Sequence, residues 1–219
     1  LDAWFDSIGQ KLFSDFNGYA IPLLIFLNGK GEELDRVVGY KDKEDFLEIL
    51  NNVLNNHDTF KSLLEKYYKG NNDSDLIDKL SLKSDERQDD ILSTELYLKV
   101  LNNDINFNKD VYERALYFFA KKELKNNNPN DMKVFISENA NSKESKKIGP
   151  AYMDLIRYYA SINDTIKEVD TYLEMVNIFV DSDAIPLKNK PSFLKDKITA
   201  ITKNTINNSN WGAKKIAIV

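Results

Sequence analysis

Apolar residues recur at three- and four-residue intervals from Asp2 to Phe16, where Trp4, Phe5, Ile8, Leu12, Phe13 and Phe16 share one face. The spacing predicts an amphipathic helix whose stripe packs into a core. Gly18 follows as the stop, a residue type that takes positive φ without a Cβ clash. Then the pattern changes. Leu23 to Leu27 is an unbroken apolar run, as expected of a strand covered on both faces. Leu34 to Val38 alternates only partly and predicts a strand nearer a sheet edge, with Gly29 and Gly31 turning the hairpin between them. Pro22 stands directly before the first run, where a missing N–H costs least, and makes Ile21-Pro22 a candidate cis peptide.

Helical spacing returns at Phe46, Leu47, Ile49, Leu50, Val53 and Leu54, behind an acidic start (Asp42, Glu44, Asp45) that complements the helix dipole. After Thr59 the strand signals stop. Helices are predicted at about 60–69, 73–83, 86–102, 110–125, 130–139, 146–162, 165–181, 192–207 and from 210 onward, separated by polar breakers such as Gly70-Asn71-Asn72 and Asn126-Asn127-Asn128-Pro129. The second helices of successive pairs, centred near Tyr97, Met132, Tyr172 and Lys214, recur at roughly 35–40 residues, the length of a helical hairpin repeat. A short α-solenoid is implied.

The order of helix, Gly18-Tyr19-Ala20-Ile21-Pro22, apolar strand, Gly-x-Gly turn, strand ending in Val37-Val38-Gly39-Tyr40, and helix resembles the C-terminal half of a thioredoxin domain. The resemblance implies an α/β partial thioredoxin-like fold in residues 1–57, followed by an all-α helical-hairpin repeat domain in residues 58–219. In that family the proline is cis, lies beside the redox dithiol, and the residue before it holds the substrate chain through main-chain hydrogen bonds. By resemblance, Ile21 makes those contacts, Pro22 shapes the loop, and Tyr19 and Ala20 border it, giving a binding site for protein or peptide substrates. The alternative is that Pro22 only starts the strand. The family's Cys-x-x-Cys and its flanking strands are expected upstream of Leu1. The helical part resembles tetratricopeptide-like arrays, with Glu95 to Asp104 reading as the closing helix of an irregular repeat. Trp211 to Val219 starts a further helix with a bare apolar face, so a truncation is expected at the C-terminus too.

Charge narrows the partners. With 30 Lys and Arg interleaved among 35 Asp and Glu, the net charge is -5 and no basic stripe is present, which argues against nucleic acid. No apolar run approaches the ~20 residues of a membrane span. The absence of cysteine excludes thiolate catalysis and Cys-based zinc sites within these residues. His57 is the single histidine and reads as a solvated loop residue, without a second histidine for a metal pair. The Gly29-Lys30-Gly31 turn leads into a strand and not a helix N-terminus, so it is no phosphate loop. No metal, cofactor or catalytic residue is assigned. The abundant aromatics, among them Tyr67, Tyr68, Tyr112, Tyr117, Phe118, Phe119, Tyr152, Tyr158 and Tyr159, read first as core, and in part as the lining of a peptide groove in the repeats.

Three functions stand open at this point. One is a fragment of a thiol–disulfide oxidoreductase-like protein; another is a redox-inactive thioredoxin-like binding module; the third is a helical-repeat scaffold. The joining of these two parts resembles exported bacterial proteins, which favours a periplasmic home over the cytoplasm.

Overall fold

The computed structural model describes residues 6–102, 107–140 and 145–179. Trp4, Phe5 and the helices predicted at 192–207 and from 210 onward lie outside the described residues. Among those described, nine helices and one two-stranded antiparallel hairpin make the chain mainly helical. Two compact units are formed, Leu1–Ala115 and Leu116–Val219.

The first unit opens with α1 (Ser7–Asp15), whose orphan amides are capped by Asp6 accepting from Ile8 N–H at 3.0 Å. Strands β1 (Leu23–Leu27) and β2 (Glu33–Val38) pair in the register Leu24 to Val37 and Phe26 to Asp35, with an irregularity before Leu27. Asn28 builds the turn: its side-chain oxygen accepts from Lys30 and Glu32 N–H at 2.9 and 3.0 Å, and Gly31 takes a φ of 81°. Helix α2 (Lys43–Leu54) comes next, capped by Asp42.

Burial of the strands reverses the expectation. Leu24 and Leu27 of β1 are each 45% exposed, whereas Asp35, Arg36 and Val37 of β2 are buried. The cause is the pair of helices later in the chain, α3 (Phe60–Tyr68) and α4 (Ser74–Glu86), which both pack against β2. The expected core stripe of α1 is likewise corrected: Ile8 and Leu12 are exposed, and Gly9 is the buried residue of that helix.

Asp35 is the constraint within this packing. Its carboxylate, 1% exposed, accepts from Lys83 Nζ at 2.6 Å and from Arg87 Nη2 at 3.4 Å. Glu33 takes Arg87 at 2.7 Å and a bidentate Arg36 at 2.8 and 2.7 Å. Burial pulls the Arg87 guanidinium below its ordinary value, with Glu33 and Asp35 opposing.

Helix α5 (Asp90–Leu101) and the first part of α6 (Lys109–Lys125) complete the unit. Helix α4 runs three residues past its predicted end, and α5 starts late, because Gln88 adopts a φ of 54° and Asp89 caps Leu92 N–H at 3.0 Å. Helix α5 packs on α4, where Ser93 bonds Ser84 at 2.9 Å and Tyr97 reaches Asp85 at 2.6 Å. In the second unit the rest of α6 packs with α7 (Asn130–Asn139), α8 (Ile148–Ser161) and α9 (Thr165–Phe179). Its core centres on Met132, Ala151, Tyr152, Ile156 and Met175.

One device recurs through the helices. Tyrosine hydroxyls donate to carboxylates on a neighbouring helix: Tyr67 to Glu95, Tyr97 to Asp85, Tyr117 to Asp154 at 2.6 Å, and Tyr152 to Glu174 at 2.9 Å. Burial first, and the facing carboxylate second, hold all four hydroxyls well above their ordinary value.

Asp35→Ala should cost about 3 kcal/mol in urea denaturation, because Lys83 and Arg87 then lose a buried counter-charge. Removing the exposed carboxylate of Asp75, which pairs with Lys79 at 2.8 Å, should cost under about 1 kcal/mol. Tyr97→Phe should destabilise by about 1–2 kcal/mol, since the hydroxyl leaves behind a partly buried carboxylate.

Candidate functional site

The end of α1 delivers the chain into the proline loop. Asn17 N–H donates to Ser14 O at 2.9 Å and Gly18 N–H to Phe13 O at 2.7 Å, closing the helix in a Schellman-like turn. The left-handed residue is Asn17, with a φ of 52°, one position before the glycine expected to supply it. Gly18 is required for space instead, because a Cβ there would meet the Phe13 ring at 2.5 Å.

The four residues singled out in the sequence stand together at the head of β1. Tyr19 and Ile21 are 49% and 53% exposed, Pro22 is exposed, and Ala20 is half-buried. The Ile21-Pro22 bond is cis. Pro22 O accepts from Gly39 N–H at 2.9 Å, which fixes the phase of the ladder. Leu24 and Phe26 therefore turn their backbone groups toward β2, and Leu23 and Ile25 turn theirs to the opposite edge. Among the described residues no strand pairs on that edge.

The loop has a charged neighbourhood. Burial raises the Tyr19 hydroxyl above its ordinary value, and the nearby Glu86 and Asp85 carboxylates raise it further against Arg36. Burial also raises the Glu86 carboxyl, opposed by Lys83 and Lys41. Arg36 Nη1 points at Glu86 O, 3.4 Å away.

Beside the loop lies a cleft of about 570 Å³, bordered by Asp15 to Asn17, by Glu33 and Arg36 of β2, by Phe60, and by Arg87 to Ile91. The Arg87 guanidinium sits 3.8 Å above the Phe60 ring in its wall. None of these wall residues was read as a site residue from the sequence, where Phe16 stood only in the α1 stripe. The signal present in the sequence was Asp35-Arg36, two adjacent charges in the middle of a strand.

Elsewhere, His57 is exposed, with Nδ1 3.8 Å from Asp58 Oδ2. Among the described residues no cluster of three or more His, Asp or Glu is arranged to hold a metal ion, and no helix is long and apolar enough to cross a membrane. Of the aromatics offered for a groove, Tyr68 and Tyr112 are exposed, while Tyr67, Tyr152 and Tyr159 are buried. Comparison with known protein families, curated proteins and solved structures gave no match.

Glu86→Gln should stabilise the protein at neutral pH. The folded-state pKa of Glu86 lies above its unfolded value, so its contribution to stability falls as pH rises from the ordinary carboxylate range through the folded value. Thermal unfolding followed across that window should show a slope in the parent that is reduced in the variant.

Proposed function

We propose that α1, the proline loop, the hairpin and α2 form the peptide-docking half of a thioredoxin-like domain, in a thiol–disulfide oxidoreductase-like protein continued by tetratricopeptide-like helix pairs. The edge of β1 that is unpaired among the described residues, running on from an exposed loop, is the observation that carries this reading. A hairpin alone is marginal, and an apolar edge strand calls for a covering chain. In this reading the edge receives the strand that leads to Cys-x-x-Cys, supplied upstream. Ile21 then offers its main chain to an extended substrate, and Tyr19 and Ala20 flank it. The residues here hold the substrate and contribute no thiol.

A redox-inactive binding module is the second reading, and the absence of any cysteine in 219 residues favours it. Both readings place a peptide on the loop. They part at the gene upstream of Leu1, where a Cys-x-x-Cys motif selects the first and its absence the second.

Fluorescence anisotropy with extended apolar peptides tests the docking site. Ile21→Asp should weaken binding about tenfold, by setting a charge where an apolar contact is made, with far-UV circular dichroism unchanged. Equal binding by the variant refutes the site. The chain itself should reduce insulin no faster than dithiothreitol alone, because no thiolate is present to form a mixed disulfide.

A further inference from the structure

We infer that the cleft beside the proline loop receives a basic side chain, lysine or arginine, from the polypeptide docked on that loop. The inference rests on the peptide-docking reading above and adds the chemistry of its ligand.

The cleft adjoins the loop: Asn17 in its wall precedes Tyr19 by two residues, and Arg36 of the same wall is near enough to act on the Tyr19 hydroxyl. At about 570 Å³ it falls in the size range of ligand sites and exceeds what one long side chain fills. Its cations are already engaged. Arg36 is clamped by Glu33, and Arg87 is held by Glu33 and Asp35 and stacked on Phe60. The carboxylates on the opposite side of the balance are not neutralised in the same way. Asp15 is exposed at the last position of α1, where the helix dipole is negative and the final turn holds no basic residue. Asp89 uses one oxygen to cap α5.

A cation therefore gains from both the dipole end and the carboxylates, whereas an anion meets their repulsion and finds both arginines occupied. Phe16 and the 85% exposed Ile91 supply apolar surface for the methylene stem that lysine and arginine carry. Charge complementarity and an apolar flank together select a long basic side chain over a small inorganic cation.

The test uses a short fluorescein-labelled peptide of alternating valine and threonine with two central lysines, and a counterpart with norleucine in their place. Binding is measured by anisotropy to the full chain, to Asp15→Asn/Asp89→Asn, and to Ile21→Asp. Asparagine caps a helix as well as aspartate does, so the double variant keeps α5 intact. The lysine peptide should bind about fivefold tighter than the norleucine peptide at low salt, an advantage lost in the double variant and at high ionic strength. Equal binding of the two peptides to the parent chain overturns the cleft and leaves the loop reading standing. A lysine preference abolished by the double variant, with the affinities of both peptides left unchanged by Ile21→Asp, supports the cleft as a site for a basic side chain and overturns docking on the loop. Failure of both peptides to bind overturns both.

Discussion

A carboxylate placed in the middle of a buried strand sets the terms for the first unit. Asp35 cannot be buried alone, because an uncompensated charge in a low-dielectric interior costs several kcal/mol. Its partners Lys83 and Arg87 are four residues apart, one turn, at the end of α4, so satisfying Asp35 requires that end to lie on β2. Arg87 then carries the constraint onward through Phe60 into α3. Register is set by the same source. A one-residue slip of β2 would move Asp35 to the other face and bring Arg36 to where Lys83 and Arg87 wait. The hairpin is thus attached to the helices by a charge network that specifies position more than it adds stability.

The helices solve a related problem with tyrosine. A buried tyrosine contributes a large apolar ring but must satisfy its hydroxyl, and here the acceptor is repeatedly a carboxylate on another helix, one or two elements away in the chain. Tyr97 to Asp85 joins α5 to α4, and Tyr152 to Glu174 joins α8 to α9. Each bond fixes the rotation of one helix against its neighbour, which apolar contacts alone leave adjustable. The partners are separated by different sequence distances from pair to pair, so the device recurs without an in-register motif. That explains why a helical-pair rhythm is visible in the sequence while its consensus positions are not.

Helix positions were legible because amphipathic spacing is local, and the stop of α4 and the start of α5 shifted where Gln88 and Asp89 imposed their own turn chemistry. Burial of the strands was not legible. The run from Leu23 to Leu27 records a preference for extended, apolar surroundings, but which strand is covered depends on α3 and α4, tens of residues away. The stripe on α1 fails for the same reason: Ile8 and Leu12 form a face, and a face does not name its partner. Of the candidate site, the loop could be read from Gly-Tyr-Ala-Ile-Pro, being contiguous. The cleft draws on four separated segments, near residues 16, 35, 60 and 89, of which the Asp35 network and the Arg87–Phe60 stack join the last three.

That contrast bears on what the loop is for. Natural edge strands are protected by lysine, proline, bulges or short length. In β1 the proline stands before the strand and the irregularity after Phe26, leaving Leu23 to Phe26 without a charge along the free edge. Ile21, Leu24 and Leu27, in the loop and in the strand whose other edge is unpaired among the described residues, are exposed. Scattered apolar exposure is ordinary, but three such residues on one loop and strand make an apolar surface next to free main-chain groups. The edge offers main-chain hydrogen bonds and the side chains offer apolar area, a combination that water satisfies poorly and an extended polypeptide satisfies well. Both readings of the function supply such a polypeptide, so the demand for a covering chain is common ground between them, whichever chain meets it.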